Sequence, residues 1–178
     1  IELEEGEVGF QDYFVRRRHQ VAVLGIRLAG VESAEAAPGV LDAIAEAELV
    51  IICPSNPLVS IGPVLATGGI GPALAARRET VAAVSPIVGG RAIKGPADRM
   101  LVELGHESSV VGVARMWAPY ASLLAIDPVD APLGALVSEA GMRPLVTPSV
   151  MHTPVDAAAL ARAVLSAMGG AGVAAGAS

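Results

Sequence analysis

The sequence predicts an α/β fold: a doubly wound, mainly parallel sheet with helices on both faces. Three observations lead there. Short apolar runs alternate with longer stretches whose apolar residues recur three or four apart, the strand-then-helix rhythm of a parallel sheet. Hydrophobic residues make up 53% of the chain and aromatics only 3%. The core must therefore be Val, Leu, Ile and Ala, as when helices sandwich such a sheet. Pro- and Gly-rich breaks fall where strands hand over to helices.

Taken in order, residues 8–18, with Phe10, Tyr13 and Phe14, form a β-prone run ending on Arg16, Arg17 and Arg18. The stretch 22–28 reads as another strand and 30–37 as a loop. Pro38 starts a helix in which Val40, Leu41, Ile44 and Ala45 share a face. The unbroken run 49–53 predicts a fully buried strand, and a helix follows from Ile61 or Gly62. Residues 80–85 repeat the buried-strand pattern, and a Gly-rich loop spans 86–95. A helix runs from Pro96 to Leu104, and 109–114 suits a strand or a helix start. Strands are expected at 121–126 and 143–147, with helices at 133–140 and 155–168. Residues 1–168 thus read as part of one Rossmann-like α/β domain, without internal repeats, and 169–178 as a disordered Gly/Ala tail. The chain opens without Met inside an apparent β-segment, so an N-terminal part of the parent protein is expected to be absent.

Composition also excludes. The net charge of −6 and scattered basic residues provide no face for nucleic acid. No apolar stretch reaches the roughly 20 residues that span a bilayer, and the acidic start is no signal peptide, so a soluble cytoplasmic protein is expected. The lone Cys53 can make no internal disulfide or zinc knuckle and reads as a small buried hydrophobe. His19, His106 and His152 lack metal-ligand spacing, and no Ser/His/Asp constellation stands out.

Ligands of open α/β sheets bind beyond the carboxyl ends of strands. Two such ends carry unusual loops. In the first, Ser55, Asn56, Pro57, Ser60, Ile61 and Gly62 lie between a strand and a helix start. Its amides suit a phosphate or carboxylate, or its Ser and Asn simply cap the helix. In the second, Ser85, Pro86, Gly89, Gly90 and Gly95 surround Lys94, the single lysine among twelve basic residues. The loop either neutralises a phosphate or forms a plain tight turn; the glycine spacing is not a Walker motif. Arg16 and Arg17 either grip an anion or charge an edge strand. Asp127 and Asp130, at the end of a strand, are candidates for a polar role, with a cap on the next turn as the alternative for Asp127.

Together, FQDYFVRRR at 10–18, ICPSNPLVSIGPVLA at 52–66, AVSPIVGGRAIKGPADRML at 83–101, GVARMWA at 112–118 with Asp127, and LVTPSVM at 145–151 resemble the 2-phospho-L-lactate transferases of deazaflavin coenzyme F-420 biosynthesis. The resemblance implies transfer of a phospholactyl or phosphoenolpyruvyl group from a guanosine diphosphate-linked donor to the ribityl hydroxyl of a deazaflavin precursor. GMP leaves, and magnesium assists. It implies Lys94 as the catalytic cation on a diphosphate held with Ser85, Pro86, Gly89, Gly90 and Gly95. Ser55, Asn56, Pro57, Ser60, Ile61 and Gly62 would line the substrate site, with Arg16 and Arg17 in contact. The family's Gly-rich first segment and its acidic metal ligand have no counterpart in these residues, and Met116-Trp117 stands where many members carry His-Tyr. A homodimer is expected, and the Arg- and Ala-rich composition fits an actinobacterial source. The alternative is a non-catalytic regulator of the related uridine-sugar-binding family, which shares the sheet and a similar first loop.

Overall fold

Residues 1–169 are described by a computed structural model of the chain. The predicted tail beyond Gly169 lies outside them. Strands β1 (Glu2–Leu3) and β2 (Gly6–Glu7) form a small antiparallel hairpin. Helix α1 (Val40–Glu46) leads to β3 (Val50–Ile52), and helices α2 (Gly62–Ala66) and α3 (Ile70–Ala76) lead to β4 (Val81–Val84). A second hairpin, β5 (Ile87–Val88) and β6 (Arg91–Ala92), precedes helices α4 (Ala97–Glu103) and α5 (Val110–Trp117). Strand β7 (Leu123–Ile126), helix α6 (Gly134–Glu139), strand β8 (Arg143–Val146) and helix α7 (Pro154–Ala167) follow.

The main sheet has the order β3-β4-β7-β8, every pair parallel. Strands adjacent in sequence are also adjacent in space, so crossovers of one hand place their helices on a single face. Packing follows the two-residue alternation of the strands. Val81, Ala83, Leu124 and Ile126 meet Ile70 and Leu74 of α3, Val110 and Val113 of α5 and Val137 of α6. Ala82, Val84, Leu123 and Ala125 turn the other way, onto Leu160 and Val164 of α7. Helices therefore cover both faces, as predicted.

Because α7 alone lies on that second face among the described residues, its start matters. Thr153 caps it: the hydroxyl accepts from the Asp156 N–H at 3.3 Å, and the Asp156 carboxylate accepts from the Thr153 N–H at 2.8 Å. Thr153→Ala should cost about 1 kcal/mol, measurable by thermal unfolding. The Thr153 hydroxyl first, and then its backbone N–H, hold the Asp156 carboxyl below the usual carboxylate range. A depressed folded-state value means that this contribution is present above the ordinary carboxylate pKa and fades as pH falls through the depressed one. The penalty of Thr153→Ala should therefore shrink in acid.

Four expectations are corrected. Residues 8–18 are not a strand: Asp12–Arg16 forms a π-helical turn with Tyr13 fully buried. Asp12 binds Arg16 and Arg17 one turn on, at 3.3 and 2.8 Å, and these local ion pairs with Tyr13 burial override β propensity. Residues 22–28 form no strand: their backbone meets the first hairpin in an isolated bridge at Gly25, and Arg27 pairs with Glu7 of β2. Strand β3 is half-buried, because it lies at the edge of the described sheet. Cys53 is exposed, one residue beyond that edge strand.

The first residues pack separately. Leu3, Tyr13 and Val23 surround Met100 of α4. Arg99 donates to the Tyr13 hydroxyl at 2.7 Å; burial pushes that phenol up and the guanidinium partly offsets it.

Candidate active site at the carboxyl ends of the sheet

Parallel neighbours end on the same side of a sheet, so the segments leaving β3, β4 and β8 meet at one rim. They enclose a cleft of about 190 Å³. Pro54 and Asn56 supply one wall, and Ser85, Pro86 and Val88 a second, continued by Ile93, Lys94 and Ala97. Ser149, Val150 and Met151 close the third side. Lys94, the sole charged side chain on the lining, is exposed and has no ion-pair partner among the described residues. An anion entering the cleft would meet this ammonium as the one charged side chain of its lining.

The walls are stiffened by their own polar groups. Asn56 Oδ1 accepts from the N–H groups of Leu58 and Val59 at 2.9 and 3.3 Å, capping the turn Pro57–Ile61. The capping alternative holds for this residue, and those two amides are taken. Ser85 is buried; its hydroxyl donates to the Ile87 carbonyl at 2.8 Å and accepts from the Ile87 N–H at 3.1 Å. Gly89 and Gly90 form the two-residue turn between β5 and β6, with φ of +57° and +77°. Both central positions need positive φ there, which glycine adopts freely.

Asn56, Ser85, Pro86 and Lys94 thus share one cleft. The other singled-out residues stand elsewhere. Ser55 sits beside the wall, with its N–H on the Cys53 carbonyl at 2.7 Å. Ser60 is exposed, and Ile61 packs against the core. Pro57 and Gly62 face a second, mainly apolar depression of about 610 Å³ with Leu65, Trp117 and Tyr120. Gly89 and Gly90 form the hairpin tip and Gly95 an exposed left-handed turn. Arg16 and Arg17 are tied to Asp12, with Glu5 on Arg17, and do not line the cleft.

Sequence reasoning missed the third wall. Its signal was present: Thr147-Pro148-Ser149 directly after a strand has the same character as Pro54-Ser55-Asn56-Pro57.

Residues 1–137 match the model of the family described as 2-phospho-L-lactate transferase CofD. This chain belongs to the 2-phospho-L-lactate transferase family. A 2-phospho-L-lactate transferase of Methanothermobacter thermautotrophicus is 38% identical over 93% of the chain and 52% of its own length. Phosphoenolpyruvate transferases of Streptomyces griseus and Streptomyces coelicolor are 42% and 41% identical, over 91% and 93% of the chain and 51% and 52% of their lengths. The chain therefore spans about half the length of these curated relatives. The match to the CofD family covers the first two walls of the cleft, whereas Ser149–Met151 lies beyond it.

Among the described residues no group of three His, Cys, Asp or Glu could hold a metal ion. Asp127 and Asp130, at the same rim, turn their oxygens onto backbone amides. Neither lines the cleft, so among the described residues no carboxylate faces it as a ligand for magnesium. No described helix is long and apolar enough to cross a membrane.

Proposed function

We propose that this chain carries part of the active site of a transferase that moves a phospholactyl or phosphoenolpyruvyl group from a guanosine diphosphate-linked donor to the ribityl hydroxyl of a deazaflavin precursor, in coenzyme F-420 biosynthesis. The observation that carries this reading is the convergence of the β3 and β4 loops with Lys94 on one cleft, within a chain of the transferase family.

The chemistry requires little of the protein beyond placement and charge. The acceptor oxygen bonds to the phosphorus bearing the three-carbon acid, the bond from that phosphorus to the bridging oxygen breaks, and GMP leaves with the electron pair. The hydroxyl proton passes to solvent or to a base outside the cleft lining. Such transfer is governed by positioning and by neutralising charge on the phosphoryl and leaving oxygens. Lys94 supplies a mobile positive charge on a flexible stem, suited to a shifting phosphate. Ser85 and Asn56 give the cleft rigid walls, since their side chains are already bonded within their own loops.

The magnesium expected in the family would take its ligands from residues other than those that line this cleft. The reading also takes the enzyme to be a cytoplasmic homodimer. Incubating the complete protein with the deazaflavin and each donor in turn should give GMP and one phosphodiester, with the lactyl or the enolpyruvyl mass identified by mass spectrometry. Finding neither product from either donor would remove the assignment.

A further inference from the structure

Beyond β7 the chain runs Asp127-Pro128-Val129-Asp130, and its two carboxylates bind segments that lead into two different walls of the cleft. Asp127 Oδ2 accepts from the Ser149 N–H at 3.1 Å and from its hydroxyl at 3.5 Å, while Oδ1 accepts from the Val129 N–H at 3.2 Å. Ser149 opens the third wall. Asp130, 4% exposed, turns both oxygens to the Gly89 N–H, at 2.9 and 3.2 Å. Gly89 adjoins Val88 of the second wall, in the hairpin that runs on to Ile93 and Lys94. One carboxylate therefore fastens a segment 41 residues earlier, and the other a segment 22 residues later.

The Asp130 arrangement is costly for the little it does locally. A buried carboxylate with a single amide donor is poorly compensated, and a Gly-Gly turn forms without help. A negative charge beside an anion site also opposes binding. Geometry is what remains to account for it. We infer that Asp127 and Asp130 are positioning residues that set the separation of the cleft walls, and with it the grip on the donor's diphosphate. The inference rests on the transferase reading for the identity of that ligand.

The test is guanosine diphosphate binding to the complete protein with magnesium present, measured by calorimetry. Asp130→Ala should weaken binding by about tenfold or more, whereas Asp130→Asn, which keeps one acceptor for its one amide, should stay within about threefold of wild type. Asp127 serves two amides with two oxygens, so Asp127→Asn sets an NH₂ against a donor and should bind as poorly as Asp127→Ala. Charge acting through space predicts the opposite sign, because removing an anion tightens anion binding. Ala variants that bind as tightly as wild type, or more tightly, overturn the inference. Should Asp130→Ala fail to fold, the partly exposed Asp127 carries the test through Asp127→Asn. If the wild type itself ignores guanosine diphosphate, the transferase reading falls. Amide exchange then decides the clamp: faster exchange at Gly89 in Asp130→Ala and at Ser149 in Asp127→Ala sustains it, and unchanged rates end it.

Discussion

Lys94→Ala in the complete protein is expected to lower the transfer rate by more than about tenfold, a loss of at least ~1.4 kcal/mol of transition-state stabilisation, and to leave the fold intact. Both halves follow from the placement of the side chain. Lys94 is the only charged group on the cleft lining, so nothing beside it can take over its charge. It is also exposed and bonded to none of the described side chains, so its removal breaks no packing. The far-ultraviolet circular dichroism spectrum should be unchanged. Lys94→Arg should recover part of the rate, since a broader cation retains the charge and loses the compact fit of an ammonium. A wild-type rate for Lys94→Ala would remove the residue from the reaction.

Gly112→Ala should destabilise the protein strongly, against the usual trend for a glycine within a helix. In an ordinary helix the change helps by about 1 kcal/mol, because alanine is the better helix former. Gly112 sits in the first turn of α5, where an added Cβ would lie 2.9 Å from the carbonyl carbon of Glu107 and closer still to its oxygen. That carbonyl is backbone, held by the Ser109 N–H at 3.0 Å, and cannot rotate aside as a side chain would. The sign therefore reverses: a cost of about 2–4 kcal/mol is expected, with a melting temperature lower by about 5–15 °C. The displacement reaches the cleft as well, because Ser108 donates to the Gly90 carbonyl at 3.1 Å just ahead of the same helix. An unchanged or raised melting temperature would mean that the start of α5 relaxes freely.

The parallel sheet was legible because burial dictates its composition. The runs 80–85 and 121–126 are apolar on both faces, and both faces of β4 and β7 are covered. Helix α7 was legible as a closing helix, and its Thr153 cap and Pro154 start set it one residue earlier than expected. The first 30 residues were not. Their aromatic and β-branched residues carry strand propensity, but Tyr13 is buried against Met100, a partner far along the chain that no local pattern records. Local character located the two loops, and the register of β3 beside β4 brought their ends together, as parallel pairing requires. Asn56 shows the boundary of that reasoning: residue type marked the loop, yet its oxygen is spent on a cap. The clamp from Asp127 and Asp130 spans separations of 22 and 41 residues, beyond what spacing along the chain can show.

The exposure of Cys53 has a practical outcome at the bench. It is the sole thiol in the chain, and its neighbour Pro54 forms part of the cleft wall. Its alkylation rate should respond to whatever fills the cleft, giving an optical assay that needs no turnover. The same sulfur can join two molecules in air, so a dimer counts as assembly only when it persists in reductant.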